Sequence, residues 1–166
     1  DKVIPKRKSP PRLVNDYTNT LTEYQVTALE KKLVDYDDST SNQVAVVLVS
    51  TTGDYSVEEV GLEILRRWGV GNKEKNNGIV LLIAKDDRKL RIEVGYGLEG
   101  AIPDITAKSI IENEIKPSFK ADNYYRGIDL GTDAIIKAAA GEYKAPANYG
   151  SKKKKGVNWV TILFVI

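Results

Sequence analysis

The sequence predicts an α/β protein: a three-layer α/β/α sandwich around a small mixed sheet, with one parallel βαβ unit and an antiparallel edge strand. Three observations carry this. Residues 43–50 and 79–84 are continuous apolar runs rich in valine, leucine and isoleucine, as expected of strands covered on both faces. Between them, Val57, Val60, Gly61, Ile64, Leu65 and Trp68 recur at the helical period. Leu90, Ile92 and Val94 then alternate with Lys89, Arg91 and Glu93, the pattern of a half-exposed edge strand.

Taken in order, residues 1–12 are basic and proline-rich and read as an extended arm before a domain spanning residues 13–143. Thr22 and Gln25 form a capping box, with Leu21 and Val26 as its hydrophobic staple. The helix they start buries Val26, Leu29, Leu33 and Tyr36. Ser56 and Glu59 repeat the capping signal ahead of the second helix, which Gly69 stops. The unit from residue 43 to 84 is therefore βαβ, with parallel strands and a right-handed crossover. Residues 85–88 form a tight turn into the antiparallel strand. A third helix has Asp104 as N-cap, buries Ala107, Ile110, Ile111 and Ile115, and ends near Pro117. A last helix over residues 122–140 uses Tyr124, Ile128, Ile135 and Ala139. Residues 144–156 read as a linker ending in the lysine run 152–155. The apolar segment 157–166 is shorter than the ~20 residues a bilayer crossing needs. It reads as the start of a transmembrane helix, with Trp159 at the interface.

Composition narrows the chemistry. A chain of 166 residues is long enough for one domain with its own core. A net charge of +2, with a basic cluster at each end of the chain, gives no nucleic-acid footprint. The chain has no Cys and no His, which excludes disulfides, thiolate zinc sites, a cysteine nucleophile and a histidine base. Any metal must be oxygen-ligated, which favours Ca2+, or Mg2+ or Mn2+, and no zinc, haem or nucleotide is expected. Met is absent even at position 1, so a processed or partial chain is expected.

Chain direction suggests where a site lies. If the third strand runs back beside the second, the loops 71–78 and 95–104 meet at one edge of the sheet. One brings the amides of Asn76 and Asn77, the other Glu99, Asp104 and the glycines 95, 97 and 100. Oxygen donors on such loops suit a hard cation. The same residues also read as an N-cap and as turn formers. The run 95–100 has glycine-fingerprint spacing but no following βαβ unit, so it is not a nucleotide site. At the opposite edge Asp86 and Asp87, beside Thr51, Thr52 and Gly53, read as hairpin residues or a second cation site. Asp37 and Asp38 read as a solvated helix end.

Several stretches together resemble the TPM-domain family: Val14-Asn15-Asp16-Tyr17, Arg67-Trp68-Gly69-Val70-Gly71, Asn76-Asn77-Gly78, the segment 91–100, Pro103-Asp104, the segment 115–119 and Tyr124-Tyr125-Arg126-Gly127. The resemblance implies an α/β/α sandwich on the extracytoplasmic side of a membrane, anchored here by the C-terminal segment. Related plant proteins assist photosystem repair in the thylakoid lumen, and related animal proteins accompany membrane receptors. Divalent-cation binding and a weak acid phosphatase activity have been attributed to members. By position, Asp16, Asn77, Glu99 and Asp104 match the family's polar signature and are the expected metal ligands, with Asp104 the candidate catalytic residue. Asn76 stands where an acidic residue is common, which removes one negative charge. The expected function is a monomeric divalent-cation-binding accessory module for a membrane or membrane-protein complex. The alternative is a metal-assisted phosphatase acting on phosphomonoesters. The lysine run 152–155 alone would place the domain inside; export behind a signal peptide overrides it, and the outside is expected.

Overall fold

Both capping boxes form as the sequence predicts, and they fix where the first two helices begin. The computed structural model describes residues 4–145 and the backbone of residues 162 and 163. In chain order the elements are β1 (Val14–Asp16), α1 (Glu23–Thr40), β2 (Gln43–Val49), α2 (Val57–Arg67), β3 (Gly78–Ala84) and β4 (Lys89–Val94). Then follow α3 (Asp104–Ser109), a π-turn (Ile110–Ile115), α4 (Lys116–Lys120), α5 (Tyr124–Ala139) and a two-residue β5 (Ile162–Leu163). At the head of α1, Thr22 accepts from the Gln25 amide and the Gln25 side chain accepts from Thr22 N; Ser56 and Glu59 do the same for α2.

The sheet runs in sequence order from β1 to β5. β1, β2 and β3 are parallel, β4 is antiparallel to β3, and β5 pairs antiparallel outside β4. β1 was not foreseen as a strand, because three residues are too few to show a period. On one face Val44, Val46, Leu48, Ile79, Leu81 and Ile83 pack under α1, the 104–120 helix and α5. On the other, Ala45, Val47, Val49, Val80, Leu82 and Ala84 pack under α2. The strand order thus advances one way while α1 and α2 lie on opposite faces. The two crossovers must therefore have opposite hands, and one departs from the right-handed rule.

Four expectations need correction. Pro103 is the N-cap of α3, and Asp104 lies in the first turn with no side-chain cap bond. The helix does not end at Pro117. The π-turn, with Lys116 N donating to Ile111 O, resets the ladder so that Pro117 falls in the first turn of α4, where its missing N–H is not needed. The arm is docked on the domain from residue 4 onward: Trp68 Nε1 donates to Pro5 O at 3.2 Å. The polar face of β4 is also less open than its alternation implies, since Arg91 and Glu93 lie beneath Gly61 of α2. The residues 146–161 and 164–166, with most of the expected linker and membrane segment, lie outside the described residues. Among those described, no helix is long and apolar enough to cross a membrane.

Candidate functional site

The loops 71–78 and 95–104 do meet, because β4 reverses direction as foreseen. Gly95 N donates to Gly78 O at 2.7 Å and Gly97 N to Asn76 O at 2.9 Å. The glycines are needed for this approach: a Cβ at Gly97 would stand 1.9 Å from Lys75 O. The contact joins backbones, however, and not a shared set of ligands. Asn77 is buried, its Oδ1 accepting from Asn72 N at 2.7 Å and its Nδ2 donating to Ser41 O at 2.8 Å. Glu99 and Asp104 are exposed and line a cavity of about 250 Å³ with Arg91 and Glu93. Glu93, which sequence reasoning missed as a site residue, has its carboxyl pKa raised, chiefly by burial; Arg91 works against this, while the charges of Asp104 and Glu58 add to it.

Asp16 lies at the other end of the sheet. It ends β1 in register with Leu48, at the carboxyl edge of the three parallel strands. Both of its oxygens are engaged: Oδ1 accepts from Thr18 N and Thr18 Oγ1, and Oδ2 from Thr20 N and Leu21 N. Burial works to raise its pKa, but these hydrogen bonds, led by the Leu21 amide, hold it below the ordinary value. The four expected ligands are therefore split between two poles, and Asp16 and Asn77 are occupied in holding loops. Among the described residues no three acidic side chains stand together as a metal cage.

The carboxyl edge has the stronger architecture. The chain leaves β1 toward α1 on one face and leaves β2 toward α2 on the other, which opens a crevice outside the strand ends. The turn after β3 closes one side of it. Lys85 N donates to Val49 O at 2.9 Å and Asp86 N to Ser50 O at 2.8 Å. Asp87 accepts from Thr51 Oγ1 and Thr52 N and so serves the turn. Arg88 takes φ +53°, which turns the chain back into β4. Here a cavity of about 500 Å³ is lined by Thr20, Lys85, Asp86, Arg88, Asp122 and Tyr124. Lys85 Nζ donates to Thr20 Oγ1 at 3.1 Å and lies 5.0 Å from the Tyr124 ring centre. Arg88 Nη1 is buried with no acceptor. The Tyr124 hydroxyl is raised, first by burial; Arg88 lowers it, and Asp122 and Asp86 push it up again. Two exposed carboxylates from separate loops thus share this cavity with two cations. The pair Asp86-Asp87 was visible in the sequence, but nothing local linked it to Asp122 and Tyr124, more than thirty residues on.

The fold is that of a small α/β domain with a polar crevice at the carboxyl edge of its parallel strands. The chain belongs to the TPM domain family, whose model matches residues 14–138. Its structure is similar to the solution structure of the N-terminal domain of a P. gingivalis protein, at 35% identity and TM-score 0.72, covering 81% of this chain and 85% of that one. It is also similar to the BA42 protein of the psychrophilic bacterium Bizionia argentinensis, at 19% identity and TM-score 0.65, covering 87% and 95%. An N-terminal domain from Corynebacterium glutamicum, at 15% identity and TM-score 0.62 over 86% and 88%, shares the fold. No match is found among curated proteins.

Proposed function

We propose that this TPM domain is a divalent-cation-binding accessory module of a membrane-anchored, extracytoplasmic protein, and that the cation binds at the carboxyl-edge crevice together with an anionic group such as phosphate. One observation carries the reading. Asp86 and Asp122 line one cavity with Lys85, Tyr124 and Arg88, whose buried Nη1 has no acceptor. Magnesium-type sites use one or two carboxylates, several waters and ligand phosphate oxygens in place of an all-protein cage. That accounts for a site without three converging acids. The carboxylates would hold the cation, and Lys85, Arg88 and Thr20 the anion.

The test is titration with calcium or magnesium, with and without inorganic phosphate, followed by backbone amide shifts. Shifts should appear at residues 18–20, 85–88 and 122–124, and Asp86→Asn should weaken binding about tenfold, the equivalent of ~1.4 kcal/mol. Shifts confined to residues 95–104 would return the site to Glu99 and Asp104, and no shifts at all would remove cation binding. A second reading, metal-assisted hydrolysis of phosphomonoesters, draws on the same pairing of carboxylates with Lys85 and Arg88. Activity on a generic phosphomonoester that falls in Asp86→Asn but not in Asp104→Asn supports it, and equal rates leave binding alone.

A further inference from the structure

The docked arm is held in a repeated way. Trp68 Nε1 donates to Pro5 O at 3.2 Å, and the guanidinium of Arg7, two residues on, lies 5.7 Å from the Trp68 ring centre. Tyr17 Oη donates to Lys6 O at 2.8 Å, and the ammonium of Lys8, again two residues on, lies 5.3 Å from the Tyr17 ring centre. Each aromatic residue thus reads one backbone carbonyl with its donor and one cation with its face, and the second reading is one residue out of step with the first. Extended proline-containing segments leave their carbonyls unpaired, and aromatic-lined grooves recognise them. Cations over the ring faces add charge selectivity. Arg7 Nη1 also donates to Trp68 O at 2.6 Å.

We propose that Trp68 and Tyr17 form a docking groove for an extended segment in which a proline is followed by basic residues, filled in this chain by its own residues 4–8 and able to take such a segment from a partner. Two features mark the arm as an incomplete occupant. Arg7 Nε is buried with no acceptor. Beside Ile4 the groove continues along α2 into a cavity of about 310 Å³ whose wall carries Glu59, Glu63 and Arg67; Arg67 is paired with Glu63 at 2.9 Å, and the second carboxylate leaves the wall net negative, which suits a basic ligand. A tethered arm competes at an effective concentration of the order of millimolar, so the groove opens to a partner only when the arm lets go.

The probe is a synthetic peptide of residues 3–12, titrated into the full chain while the Trp68 indole N–H and the Tyr17 amide are followed by NMR. In an Arg7→Ala/Lys8→Ala chain, whose own arm is loosened, both signals should shift and saturate. In the wild-type chain the same shift should need at least about tenfold more peptide, because the tethered arm competes. A peptide with alanine at the counterparts of Arg7 and Lys8 should shift neither. If the double variant does not fold, Arg7→Gln carries the same titration. Absence of a saturable shift in the folded variant, or equal shifts with the alanine peptide, overturns the proposal.

Discussion

Asp16→Ala removes an acceptor of four hydrogen bonds that pin the turn between β1 and α1. Hydrogen bonds to a charged group are worth ~1.5–3 kcal/mol each, but they act together here and the carboxylate is only half-buried, so we expect a total loss of about 2–3 kcal/mol. At roughly 2–4 °C per kcal/mol for a domain of this size, the melting temperature should fall by about 5–10 °C. Asp16→Asn keeps one acceptor oxygen and should lose about half as much. The pH dependence has a definite sign. The folded-state pKa is depressed, so the stabilisation is fully present above the unfolded value of ~3.9 and is lost as pH falls through the folded value. Thermal melts of the wild type and both variants, in chelator-treated buffer from pH 7 down to the acid limit of folding, measure this. The gap should be largest at neutral pH and close on acidification. A variant that melts like the wild type without cations, and differs only when calcium is added, would refute the reasoning and make Asp16 a metal ligand after all.

Other outcomes follow from the same geometry. Gly97→Ala forces a Cβ toward Lys75 O, so the two loops must part, at about 1–3 kcal/mol in denaturant unfolding with an unchanged m-value. Ser56→Ala removes the α2 cap bond to Glu59 N and should lose about 1 kcal/mol by the same measurement. The raised Glu93 carboxyl acts opposite to Asp16: folding should weaken as pH rises from the unfolded value of ~4.3 through the folded one, and Glu93→Gln should flatten that slope. Gly131→Val should destabilise strongly, because a Cβ there meets Ile115 Cγ1 at 2.6 Å across the seam between α5 and the π-turn; loss of the near-ultraviolet circular dichroism signal at lower denaturant reads this out.

The pattern of residues was a good guide wherever a signal is local. Thr22 with Gln25 and Ser56 with Glu59 mark helix starts because both partners of each cap lie within one turn. The buried runs of β2 and β3 were legible because both faces are covered, and the reversal of β4 placed two distant loops together correctly. What failed is instructive in the same terms. The fate of Asp16 depended on β1, whose three residues pair with β2 through backbone bonds that no side-chain pattern records. Asn77 looked like a free ligand, yet burial committed its amide to Ser41 and Asn72. Pro117 looked like a terminator, and only a wide turn upstream let the helix run on.

Sequence alone determined the layers, the two capped helices, the antiparallel return and the restriction to oxygen chemistry, because each follows from residue type or from spacing within a few positions. Tertiary structure alone decided which carboxylates are spent on backbone amides and which stand free, and it brought Lys85, Arg88, Asp122 and Tyr124 to one crevice. The same packing laid the arm against Trp68 and Tyr17. Those outcomes depend on which face each connection takes across the sheet, a choice made by packing over the whole chain.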